Sequence, residues 1–249
     1  MDGVRRTWES TWSNPRDVLL LFDIDGTLLL KASREHAEAL HAALRRIHLL
    51  EEIPTGKIEA AGRTDDAIAR SILTLAGVPA ERVDDRARDV RAMACAEYQH
   101  RCPADLRAHL APGVPEVLDV LAARPDVDLA LLTGNLDCIA RLKVDRAGIG
   151  HHFPRGEGAF GSDSEDRTDL PEIARTRHGT ARGEPPYPRE RTVVIGDTPR
   201  DIACARADGC HVIAIATGPF RPSDLAGADV VVDMAREIPA ALARIPGLA

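Results

Sequence analysis

Five short, mostly apolar runs constrain this chain more than any other feature: Val18–Phe22, Val127–Leu132, Thr192–Ile195, Val212–Ala216 and Val230–Val232. Each is too short for a buried helix and reads as a strand covered on both faces. Helical patterns separate the later runs. They cover 113–123, 136–146, a stretch after Thr168, one from Pro199 and a final one after Val232. Strand and helix in alternation imply right-handed βαβ units and a parallel sheet with helices on both sides. The expected fold class is therefore α/β, with a doubly wound parallel-sheet (Rossmann-like) core. The first run is followed by something different. From 31 to about 110 the pattern is helical and holds no strand, with Ala37, Leu40, Leu44 and Ile47 on one stripe, then Ile68, Ile72 and Leu75, then Val83, Ala87, Val90 and Ala94. The expected organisation is a core of residues 15–30 and 111–249, an all-helical insert over 31–110, and an N-terminal extension over 1–14.

Composition narrows the partners. Of 249 residues, 44% are hydrophobic and 29% charged, an ordinary globular balance. A net charge of −7 argues against a nucleic-acid backbone or an anionic membrane as partner. A small molecule is expected, bound by a monomer or homodimer. The first 17 residues hold no apolar stretch of signal-peptide type, and no apolar run approaches the ~20 residues of a membrane span. A cytoplasmic location is expected, with Cys95, Cys102, Cys138, Cys204 and Cys210 as reduced thiols.

In an open parallel sheet, ligands lie outside the carboxyl ends of the strands. Three of those ends are unusual here. Asp23-Ile24-Asp25-Gly26-Thr27 follows the first run and sends two carboxylates, two residues apart, to one side. Thr133-Gly134-Asn135 offers a hydroxyl and free N–H groups at a helix start, which suits an anionic oxygen. Gly196-Asp197-Thr198-Pro199-Arg200-Asp201 adds two more acids. Like charges gathered in one crevice need a cation.

These residues, in the stretches LLLFDIDGTLL, LLTGN and VVIGDTPRDI, resemble the haloacid dehalogenase superfamily, its phosphatase branch in particular, and phosphoglycolate phosphatases in layout. The resemblance implies a magnesium-dependent phosphatase acting on a small phosphorylated metabolite, or a phosphomutase using the same two aspartates. A catalytically idle binding module is the third alternative. The resemblance implies Asp23 as nucleophile, Asp25 as acid and base, and Mg²⁺ on Asp23, the Asp25 carbonyl and Asp197, with Asp201 acting from behind. Thr133, Gly134 and Asn135 would bind phosphoryl oxygens. The family's lysine has no counterpart between Lys143 and the chain end, and Lys143 itself reads as a solvated residue of the helix 136–146. Arg167, thirty residues before Asp197, takes that place. The insert would be a cap that closes over the crevice, with Lys57 and Arg63 as the cations that reach the leaving group. A last motif is set aside: Gly156, Gly158 and Gly161 spell G-x-G-x-x-G, but follow HHFPR rather than a buried strand.

Overall fold

The computed structural model describes residues 18–54 and 58–248. Strands β1 (Val18–Phe22), β2 (Val127–Thr133), β3 (Ala159–Phe160), β4 (Thr192–Gly196), β5 (His211–Ile215) and β6 (Val230–Val232) form one sheet. All pairs are parallel, in the order β3-β2-β1-β4-β5-β6. The chain builds outward from β1 on one side and then crosses to β4 on the other. The crevice at this reversal, beyond the ends of β1 and β4, is where an open α/β sheet receives a ligand.

Alternate residues of the strands feed two cores, as the pleat requires. On one face Leu19, Leu21, Leu132, Val194 and Val212 pack beneath α6 (Leu170–Ala181) and α7 (Pro199–Asp208). On the other, Leu20, Phe22, Leu129, Leu131 and Ile195 meet α4 (Val114–Ala122), α5 (Asp137–Arg146) and α8 (Ile238–Leu242). Three helices come between β1 and β2: α1 (Arg34–His48), α2 (Asp65–Leu75) and α3 (Ala80–Arg101). α1 lies along α3, burying Ala39, Leu40, Ala43 and Leu44 near Val90, Ala94 and Tyr98. This apolar cluster is continuous with the sheet's second core. No helix among the described residues is long and apolar enough to cross a membrane.

One expectation changes. Cys95 on α3 and Cys138 on α5 form a disulfide, so only Cys102, Cys204 and Cys210 are the buried thiols expected of all five. The partners stand 43 residues apart, and it is the crossing of α3 over α5 that brings them together. The glycine-rich stretch, set aside above as a nucleotide motif, supplies the two-residue edge strand β3 beside Leu132 and Thr133. A Cβ on Gly161 would fall 2.0 Å from the Gly134 carbonyl oxygen. Its glycine lets this loop close against the end of β2 rather than cradle a nucleotide.

Candidate active site

The end of β1 is tied to the end of β4 by the Asp23 N–H, which donates to the Ile195 carbonyl at 2.9 Å. A tight turn follows, in which the N–H groups of Leu28 and Leu29 both return to the Ile24 carbonyl. Gly26 has φ +94°, and a Cβ there would fall 2.2 Å from Asp197 Oδ2. The turn therefore needs glycine twice over, for its backbone and for room to admit the Asp197 carboxylate. Thr27 Oγ1 donates to Asp197 Oδ1 at 3.3 Å.

Asp201 belongs to the first turn of α7, where it forms a capping box with Thr198. Its Oδ2 accepts from the Thr198 N–H and hydroxyl at 2.9 and 2.7 Å. Its other oxygen accepts from Arg167 Nη2, which also donates to Asp23 Oδ1 at 3.1 Å. Arg167 lies in a 3₁₀ turn ahead of α6 and is 7% exposed. It thus stands between two buried carboxylates, at the place where the sequence pointed to a substitute for lysine.

Lys143 requires a correction. It is not a solvated helix residue: it is wholly buried. Its Nζ lies 2.5 Å from Asp25 Oδ2, 2.9 Å from Asn135 Oδ1 and 3.2 Å from His36 Nδ1. Side chains on a helix lean toward its N terminus, and the long lysine stem carries the ammonium from α5 back to the Thr133–Asn135 loop. Asn135 Nδ2 donates to the same Asp25 oxygen at 3.0 Å, while Asp25 Oδ1 is buried without a partner.

The helical insert joins this network. His36 Nε2 lies 2.9 Å from Asp65 Oδ2, which also accepts from the Leu136 N–H at 2.8 Å. The Asp65 N–H in turn donates to the Gly134 carbonyl at 2.8 Å. Lys143, His36 and Asp65 escaped the sequence reading. A signal existed for the first: Lys143 shares a helical face with the buried Ile139 and Ala140, and it is one of three lysines among 32 basic residues. Arg63 borders the cavity, but its Nη2 donates to the Ala67 carbonyl and Ser71 Oγ at 2.8 and 2.9 Å. Lys57 lies outside the described residues.

Together Asp23, Asp25, Thr133, Gly134, Asn135, Arg167 and Asp197 form one side of a cavity of about 580 Å³. Burial pushes the Asp23 carboxyl up to about 7, with Arg167 opposing and Asp201 and Asp25 adding to the rise. Burial, then Asp23 and Asp201, push Asp197 to about 8. Asp25 goes the other way: burial would raise it, but Lys143 and His36 outweigh that and hold it below the usual carboxylate value. Four carboxylates here face two fixed cations, Arg167 and Lys143. Asp23, Asp197 and Asp201 each offer an oxygen within 4.8 Å of the others. An all-oxygen donor set short of two positive charges fits a hard divalent cation.

A model of the haloacid dehalogenase-like hydrolase family matches residues 20–206. No match was found among curated proteins. Among solved structures, a β-phosphoglucomutase from Clostridium difficile superposes with TM-score 0.62 at 14% identity, covering 89% of this chain and 93% of that one. A predicted phosphoglycolate phosphatase from Haemophilus somnus gives 0.61 at 18% identity, covering 92% and 98%. CbbY from Rhodobacter sphaeroides, in complex with phosphate, gives 0.61 at 18%, covering 91% and 99%.

Proposed function

We infer the activity from one premise, that the chain belongs to the haloacid dehalogenase-like hydrolase family: it is a magnesium-dependent phosphatase of a small phosphorylated metabolite. The observation that carries this reading is the Asp23 carboxylate, buried at the β1–β4 reversal, held by Arg167 and open to the cavity beside Asp25.

Asp23 attacks phosphorus while the bond from phosphorus to the ester oxygen breaks, and Asp25 gives that oxygen its proton. Asp25 next takes a proton from water, whose oxygen attacks the same phosphorus and releases Asp23. Its Lys143 and Asn135 contacts both fall on Oδ2, while Oδ1 is buried without a partner. With Lys143 holding it ionised, Asp25 is ready for the second step. The incoming phosphate's negative charge raises its proton affinity for the first. Thr133, the Gly134 N–H and Asn135 position the phosphoryl oxygens, and Arg167 offsets the charge of nucleophile and phosphate together. Asp201 fixes Arg167 from behind. Asp23, the Asp25 carbonyl and Asp197 would hold Mg²⁺, which would supply the remaining positive charge when bound.

The test is phosphate release from a panel of phosphorylated metabolites, with Mg²⁺ and with EDTA, for the wild type and Asp23→Asn. Release should need Mg²⁺, and Asp23→Asn should lose at least ~10² in rate while staying folded. Full activity in EDTA, or more than about a hundredth of it in Asp23→Asn, would falsify the assignment. Isomerised ester without free phosphate would instead identify a phosphomutase.

A further inference from the structure

We propose that the ester's alcohol portion is predominantly hydrocarbon, a ring or short branched chain rather than a sugar; this rests on the phosphatase reading above. The cavity has two unlike sides. The charged groups that face phosphate all come from the sheet and its loops. The insert contributes Leu40, Ile53, Ile58, Ile68 and Ile72 to the lining, and Leu29 joins them from the turn after β1. Leu29, Leu40 and Ile72 are buried, whereas Ile53, Ile58 and Ile68 keep part of their apolar surface toward the cavity.

Among the described residues, three polar side chains of the insert that border the cavity are engaged elsewhere. Both ring nitrogens of His36 are engaged, with Asp65 and Lys143. Asp65 serves His36 and the Leu136 N–H. Arg63 braces α2 through Ala67 and Ser71. Among the described residues, Lys31, Ser33 and His41 remain; Lys31 and Ser33 are exposed, and burial and the neighbouring Arg45 hold His41 toward its neutral form.

A hexose whose hydroxyls face Leu40, Ile53, Ile58, Ile68 and Ile72 would leave those hydroxyls without partners, each costing about tenfold in affinity. A hydrocarbon of the same size loses nothing there and gains from leaving water. Volume sets the size of the alcohol portion and not its polarity. At about 580 Å³ the cavity is within the usual range for small-molecule sites and far exceeds what the phosphate of a two-carbon acid would fill.

Cyclohexylmethyl phosphate and glucose 6-phosphate provide the test. Both carry phosphate on a primary alcohol attached to a six-membered ring, so size and leaving group match and the hydroxyls differ. With Mg²⁺ present, kcat/KM should favour cyclohexylmethyl phosphate by about a hundredfold, mostly through KM. Ile68→Asn should raise that KM by about tenfold, leave kcat in place and narrow the gap. Calorimetry on Asp23→Asn should show the same preference in binding, with a negative heat-capacity change for the hydrocarbon ester. Preferred hydrolysis of glucose 6-phosphate or phosphoglycolate overturns this proposal and leaves the phosphatase reading standing. If no ester is hydrolysed, the phosphatase reading fails. Equal or absent binding of the two esters to Asp23→Asn then overturns the hydrocarbon preference as well.

Discussion

Arg167 carries two buried carboxylates on one guanidinium nitrogen, Asp23 at 3.1 Å and Asp201 on its other side. Its removal therefore acts twice. A fixed positive charge is lost beside the proposed nucleophile, and two acids are left facing each other in a buried site. Arg167→Ala should lower kcat/KM by about 10²–10³, the usual cost of one electrostatic stabiliser, and lower stability by about 3–5 kcal/mol through the uncompensated charges. Arg167→Lys should recover part of both, since a single nitrogen makes the two contacts and an ammonium can replace it without the fork. Near wild-type kinetics for Arg167→Ala, measured on folded protein, would show that Lys143 or the insert supplies the charge. At this scale the sequence was legible where a residue's place follows from a strand end. Asp23, Thr133 and Asp197 come directly at or after β1, β2 and β4, so their convergence follows from sheet topology. Lys143 was misread because its position depends on how α5 leaves the Thr133–Asn135 loop. His36 and Asp65 were missed because their partners exist only once the insert rests on the core.

The elements were legible where apolar periodicity is strong, as in β1, α1 and α2. They were less so where a tertiary contact decides the outcome. β3 is two residues long and pairs only with the end of β2, a strand too short to leave an alternating pattern. The crossing of α3 over α5 is likewise absent from any local pattern, and it hides the Cys95–Cys138 bridge. That bridge ties the helical insert to a helix of the sheet layer. Cys138 is exposed and Cys95 half-buried, so a reductant can reach it. Unfolded, unreduced protein should titrate as three thiols, the buried Cys102, Cys204 and Cys210, and two more should appear after reduction. Opening a bridge between residues 43 apart should reduce stability by about 2–4 kcal/mol, as denaturant unfolding with and without reductant can measure. Five thiols before reduction would show that the pair is not bonded. In a reducing cytoplasm the bridge would tend to open, so the same titration on freshly lysed cells bears on where the chain works.

Across the whole molecule, the acidic crevice sets how stability depends on pH and on metal. Folding raises Asp23 from 3.8 to about 7 and Asp197 from 3.8 to about 8. A carboxyl raised in this way binds its proton more tightly in the folded than in the unfolded chain. Below about pH 4 both states are protonated and the site costs nothing. As pH rises from there, the unfolded carboxyls ionise freely and the folded ones resist. Metal-free stability is therefore lost progressively until pH passes the folded values. His178 works in the same direction: burial would lower it, but Asp128 and Glu157 raise it above 6.5, and the stability of that ion cluster is lost as the imidazole deprotonates. The comparison with Asp197→Asn separates the two, since the variant removes one raised carboxyl and leaves His178 alone. In the proposed reading metal would reverse the acidic part, because Mg²⁺ would bind the ionised site and displace its protons. Metal-free wild type should melt lower at about pH 8.5 than at about pH 6, and Asp197→Asn should show a smaller difference. Magnesium at about 100 times its dissociation constant contributes about 2.7 kcal/mol, so it should raise Tm by roughly 5–10 °C at the higher pH. The gain should be smaller at the lower pH and absent in Asp197→Asn. A magnesium shift that is the same at both pH values, or that survives in Asp197→Asn, would mean that the cation is held elsewhere and that the charge deficit among Asp23, Asp25, Asp197 and Asp201 is met by protons alone.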